Sequence, residues 1–185
     1  MGKVYEALNA ELIEFIQSQR MFFVATAPLS ALGHVNVSPK GMDSFRVLDE
    51  RTVAYLDMTG SGVETVSHVK ENGRIVLMFC AFEGKPLILR LYGSAKVIHP
   101  HDAGWRESIS LFPEYISARQ IIDVNVDLVQ TSCGFGVPLF DFKAERDLLQ
   151  KWADAKGDAG IKEYWAEKNQ MSIDGKQTKI FENLK

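Results

Sequence analysis

Cysteine is scarce in this 185-residue chain, which carries only Cys80 and Cys133. Two thiols far apart in sequence form neither a disulfide framework nor a zinc-finger spacing, and they predict a reducing, cytoplasmic setting. Long apolar runs are missing as well: no stretch approaches the roughly 20 residues that span a bilayer. The start of the chain carries Glu6, Glu11 and Glu14 in place of a basic region and an apolar run, so no secretion signal is expected. Charge of one sign is also lacking. With 21 Lys and Arg against 24 Asp and Glu the net charge is −3, and no long block of either sign occurs. That balance predicts no broad surface for nucleic acid or an anionic membrane and leaves small molecules as the expected partners. Repeats, low-complexity tracts and linkers are absent. What is present, 46% hydrophobic and 24% charged residues, is the composition of an ordinary globular protein, and the length suits a single domain over residues 1–185.

Hydrophobic periodicity divides the chain into elements. Leu8, Leu12, Phe15 and Ile16 make one stripe of a helix ending near Arg20. Residues 21–27 (MFFVATA) are rich in β-formers and stop at Pro28; residues 29–33 read as a turn, and residues 34–38 (HVNVS) alternate like a second strand. Residues 45–48 and 52–56 predict a second hairpin around Asp49, Glu50 and Arg51. Residues 74–81 and 87–98 predict a third around Gly84 and Pro86, with Gly93 a candidate bulge. Ile122, Val124, Val126 and Leu128 alternate with polar residues as a strand with one wet face. Helical periods fall over residues 63–72, 102–111, 143–156 and 161–168. Strands joined by hairpins, without strand–helix alternation, predict a mainly β (α+β) fold. The expectation is a six-stranded antiparallel barrel over about residues 20–130, with peripheral helices and a helical C-terminal extension over about residues 141–185.

The sharpest local chemistry lies in Asp57-Met58-Thr59-Gly60-Ser61-Gly62-Val63-Glu64-Thr65. Ser61 and Glu64 have capping-box spacing, which predicts a helix starting at Gly62. The first amides of a helix lack internal partners and attract anions, and Gly60 and Gly62 permit close approach of a phosphate. Hydroxyls of Thr59, Ser61 and Thr65 would add donors, while Glu64 would repel a dianion unless it folds back onto the Ser61 amide. The local pattern is shared with an ordinary capped helix after a strand, and both readings stand at this point. The nucleotide P-loop and the dinucleotide Gly-x-Gly-x-x-Gly are absent. A second cluster, Asn36-Val37-Ser38-Pro39-Lys40-Gly41, holds an ammonium at a strand end, where it would offset charge on a reduced flavin or serve as a plain surface lysine.

Other residues carry weaker signals. Cys133 lies in Ser132-Cys133-Gly134 with no partner nearby to lower its pKa, and burial is its simplest reading. His99, His101 and Asp102 are interrupted by Pro100, so Asp102 is expected to cap a helix and no metal site is expected. His68 is read as a partly exposed helical position, and Trp105, Trp152 and Trp165 as packing residues. No side chain stands out as catalytic.

Taken together, FFVATA, GHVNVSPKG, AYLDMTGSGVET, ENGRIVLMF and LRLYGSAKV resemble the pyridoxamine 5′-phosphate oxidase-like split-barrel flavoproteins over about residues 8–130. The resemblance implies a six-stranded split barrel, an obligate homodimer and FMN bound in two clefts at the subunit interface. It implies that Val37, Ser38, Pro39, Lys40 and Gly41 lie along the flavin ring, that Thr59, Gly60, Ser61, Gly62 and Thr65 hold its phosphate, and that Arg90 is contributed by the partner subunit. The implied activity is an FMN-dependent oxidoreductase; related split barrels carry F420 or haem, and a flavin-binding module without turnover is the alternative. The chain departs from the vitamin B6 oxidase itself: Val63-Glu64-Thr65 replaces a basic pair in the phosphate turn, and the substrate segment with its Trp and Arg residues is not evident. A cation from another strand or subunit is therefore expected beside the turn.

Overall fold

The computed structural model describes residues 2–181; residue 1 and residues 182–185, the end of the expected helical extension, lie outside the described residues. The chain order is β1 (Lys3–Tyr5), α1 (Ala10–Ser18), β2 (Phe22–Thr26), β3 (Asn36–Lys40), β4 (Phe45–Val47), β5 (Thr52–Met58), α2 (Glu64–Asn72), β6 (Arg74–Cys80), β7 (Ile88–Ile98), α3 (Trp105–Ile109), β8 (Ala118–Ser132) and α4 (Leu148–Lys168). The three predicted hairpins form, as β2–β3, β4–β5 and β6–β7, and every strand pairing is antiparallel. The sheet runs β3-β2-β6-β7-β8-β5-β4, with β1 added to β8. Eight strands replace the expected six. Among them β1, a three-residue edge strand too short to show an alternation in sequence, has no counterpart in the sequence expectation.

Alternation puts Phe22 and Val24 of β2, Leu77 and Phe79 of β6, Leu89 and Leu91 of β7 and Val124 and Val126 of β8 into one core. Helix α1, capped by the Asn9 side chain on the Leu12 amide at 2.9 Å, closes it with Leu12 and Ile16. The sheet curls until its two ends meet. Phe22 on β2 stands edge-on to Phe45 on β4, with ring centroids 4.9 Å apart, and to Tyr55 on β5 at 5.6 Å. No strand pairing joins β3 to β4 or β5, so a seam closed by side chains runs down one side of the half-barrel. Gly93 sits at a register shift against β8, where a Cβ would lie 2.1 Å from the Asn125 carbonyl oxygen, so only glycine fits the expected bulge.

Several local expectations are corrected. Helix α2 begins at Glu64, not Gly62. Its N-cap is Val63, without a side-chain cap, because Glu64 folds back onto the Val63 amide instead of that of Ser61. Asp102 does not cap α3, whose N-cap is Gly104; its carboxylate instead accepts from the His99 amide at 2.8 Å. His68 is fully buried, because α2 lies against β2 and turns this position onto Thr26. Cys133 is exposed beyond the end of β8, whereas Cys80 is buried. Residues 141–147 are irregular, and the two predicted C-terminal helices run on as α4 through a break at Gly157, whose φ of 63° favours glycine.

Candidate functional site

The seam brings together groups that the strands would otherwise keep apart. On β3 the residues Asn36, Ser38 and Lys40 share one face, and Lys40 reaches across to β5, its Nζ 2.7 Å from Asp57 Oδ1. Asp57 is nearly inaccessible, and a buried carboxylate needs partners. A bulge supplies them. Asp57 pairs with Gln120 and Met58 with Ala118, which leaves Arg119 as an extra residue on β8. Consecutive residues that would point to opposite faces thus converge on one oxygen: Arg119 Nη2 and Gln120 Nε2 each donate to Asp57 Oδ2 at 2.8 Å. Burial alone would raise the Asp57 pKa. The charges and hydrogen bonds of Lys40 and Arg119 outweigh it and hold the carboxyl well below the usual range.

Arg119 also shapes the turn at residues 59–63. Its Nη1 donates to Gly60 O at 3.1 Å and Asn169 Oδ1 at 2.9 Å, and its Nη2 donates to Gly62 O at 3.0 Å. With Nε on Asp57 Oδ2 at 3.3 Å, the whole guanidinium fork is engaged by protein acceptors. Drawing the Gly60 and Gly62 carbonyls toward Arg119 turns the amides of Ser61 and Val63 the other way, since C=O and N–H oppose each other across a trans peptide. Helix α4 grips the turn from behind. Asn169 Nδ2 donates to Gly60 O and Trp165 Nε1 donates to Thr59 Oγ1, both at 2.9 Å, while Thr59 Oγ1 donates to Ser117 O.

In front of the turn lies a polar cavity of about 20 Å³, room for roughly one water-sized occupant, walled by Ser38, Lys40, Asp57, Glu64, Thr65 and Arg119. Glu64, Thr65 and Val66 of the first turn of α2 line it, and first-turn amides have no intrahelical acceptors. Ser38 Oγ donates to Asn36 Oδ1, and Asn36 Nδ2 donates to Thr65 Oγ1 at 3.0 Å. Thr26 Oγ1 stands 3.0 Å from His68 Nδ1, whose ring burial drives toward the neutral form. Glu64 Oε2 accepts from the Val63 amide at 3.0 Å, so a carboxylate already sits at the helix start.

Of the residues singled out in sequence, Ser38, Lys40, Gly62 and Thr65 border this one cavity. Thr59 and Gly60 are engaged in holding the turn, and Ser61 is exposed. Gly41 lies past the strand end, its carbonyl accepting from Ser44 Oγ at 2.8 Å. Val37 and Pro39 point to the opposite, exposed face of β3. Arg90 is not brought to the cavity of its own chain; it lies on β7, where Nη1 donates to Ser132 Oγ at 3.2 Å. The residues missed are Asp57, Arg119, Gln120, Trp165 and Asn169. An acid ending the apolar run AYLD was the available signal, since a buried charge implies a cation nearby. Arg119, on β8, is a cation beside the turn, with its donors taken up by Asp57, Asn169 and the turn carbonyls.

The chain is similar to known proteins. A family model described as pyridoxamine 5′-phosphate oxidase matches residues 8–133. A pyridoxamine 5′-phosphate oxidase family protein of Aspergillus flavus, UstO, is 39% identical over 189 residues, covering 92% of this chain and 75% of its own. Among solved structures, a candidate pyridoxamine 5′-phosphate oxidase from Lactobacillus delbrueckii superposes with a TM-score of 0.52 at 20% identity, covering 68% of this chain and 94% of that one. HupZ of Group A Streptococcus gives 0.51 at 23% identity, covering 65% and 91%. These two likenesses speak for the fold alone. Together with the matched span of the family model and the curated relative, the curled antiparallel sheet makes this chain a member of the pyridoxamine 5′-phosphate oxidase family.

Proposed function

We propose that this protein binds FMN and acts as an oxidoreductase, passing hydride or electrons between a reduced nicotinamide or another small molecule and an acceptor. The observation that carries this reading is the cavity at the α2 start, where Lys40, Ser38, Thr65 and the first-turn amides converge in a member of this family. The donor set suits a phosphate in kind: one ammonium, two hydroxyls and backbone N–H groups at a helix N-terminus. The cavity is small, and phosphate entry requires the Glu64 side chain to move aside. Bound flavin would supply the ring that accepts and returns hydride.

The chain's own residues then have distinct tasks. Asp57 holds the Lys40 side chain across the seam, and Arg119 holds the turn carbonyls back so that its amides face outward. Ser38 and Thr65 offer hydroxyls, and Asn36 orients both. The reading includes a homodimer with flavin sites at the interface, supported by apolar residues exposed on the outer sheet face, among them Val35 and Val37.

The test is the absorption spectrum of the purified protein, followed by titration of FMN monitored through flavin fluorescence. Flavin bands in the isolated protein, or quenching that saturates at one FMN per chain, is the expected result. A colourless protein that leaves FMN fluorescence unchanged sinks the proposal. Reduction of bound flavin by NADH or NADPH then separates an oxidoreductase from a binding module.

A further inference from the structure

We infer that Glu64 is an internal anion occupying the place of the cofactor phosphate, so that this one side chain sets how strongly the site discriminates a phosphorylated ligand from an unphosphorylated one. The inference rests on the proposed flavin site and deepens it. Three observations carry it. First, Glu64 Oε2 accepts from the Val63 amide at 3.0 Å, an outward-turned amide that Arg119 orients by holding the Gly62 carbonyl. Second, the cavity wall contains Lys40 and Arg119 but also Asp57 and Glu64, two cations against two anions, so the cavity has no surplus positive charge while Glu64 stays in it. Third, the carboxylate is tethered from outside. Ile173 N lies 3.4 Å from Glu64 Oε1, in a C-terminal segment that is itself tied down by Asp174 on His34 and by Lys176 on Glu71.

A phosphate dianion entering the cavity meets Glu64 at the amide it needs, and repulsion at such short range in a half-buried site is strong. Displacing Glu64 leaves Lys40 and Arg119 facing only Asp57, and the site becomes positive. A flavin without phosphate has no such contest and is indifferent to residue 64.

The experiment measures FMN and riboflavin affinities for the wild type, Glu64→Gln and Glu64→Asp, with thermal protection by inorganic phosphate as a second readout. Glu64→Gln keeps an acceptor for the Val63 amide and removes the charge. The expected result is about tenfold tighter FMN binding, a change of less than about twofold for riboflavin, and greater protection by phosphate. Glu64→Asp keeps the charge and is expected to gain less than about threefold. Equal or weaker FMN binding by Glu64→Gln, or an equal gain in Glu64→Asp, overturns the inference. If neither flavin binds any of the three proteins while phosphate protection still rises in Glu64→Gln, the flavin reading fails and Glu64 keeps its assigned role. Absence of both effects overturns the two together.

Discussion

Single residues of this protein carry an unusual load of buried charge and buried imidazole. His99 is 2% exposed, its ring stacks on that of His101, and neither ring nitrogen has a partner among the described residues. Burial first, and then the charge of Lys70, push its pKa down to about 4, against the opposing pull of Asp102; His101 and Arg119 lower it a little further. The unfolded chain takes up this proton as pH falls through about 6.5, whereas the folded chain resists until about 4, so stability drains away across that interval. Asp57 acts lower down. Its folded pKa is depressed, so its contribution is present above the ordinary carboxylate value of about 4 and is lost only below it. Replacing His99 with Leu should therefore flatten the upper part of the acid limb. Urea unfolding at pH 7 and pH 4.5 should show the wild-type difference reduced by about 1–2 kcal/mol in His99→Leu. An unchanged difference would mean that the ring is not held neutral in the fold.

At the scale of elements, the firmest joint outside the sheet is the one between α4 and the turn before α2. Asn169 is fully buried and bridges Gly60 O and the Arg119 guanidinium, while its own carbonyl accepts from Thr178 Oγ1 at 2.6 Å. Asn169→Ala would leave one Arg119 N–H unpaired and remove one of the two donors on Gly60 O, at a cost of about 1–3 kcal/mol. Chemical denaturation should show that loss, and FMN binding should weaken with it as the turn loosens. A stability within about 0.5 kcal/mol of wild type would remove α4 from the support of the turn. The hairpins were legible in sequence because their signals are local: β-formers on either side of Pro28, Asp49 or Gly84. The joints were not. Arg119 reaches Asp57 through a bulge, and Trp165 reaches Thr59 from more than a hundred residues away along the chain. No periodicity records either contact. Lys40, read in sequence as a cation held at a strand end, is the last residue of β3, but its partner Asp57 was read only as the residue that opens the glycine turn.

For the whole molecule, the outer face of the sheet is the surface on which the proposed homodimer is tested. Val37, Ala25, Val76, Tyr92 and Leu128 stand in register across β3, β2, β6, β7 and β8, and Val37 is 63% exposed. Such a contiguous apolar band on a monomer marks a binding face. Light scattering should give a two-chain mass for the wild type, and Val37→Asp, which places a charge in the band, should shift it toward one chain. A monomeric wild type would contradict the interface reading.

The seam has one more consequence, a mechanical one. Because its width is fixed by an ion pair and a few aromatic contacts instead of a ladder of backbone bonds, its two lips can part without melting a strand. The half-barrel is therefore a split ring, laddered by backbone bonds between neighbouring strands and closed across one gap by side chains alone. That gap lies where Lys40 meets Asp57, so any opening of the ring would pass through its candidate site.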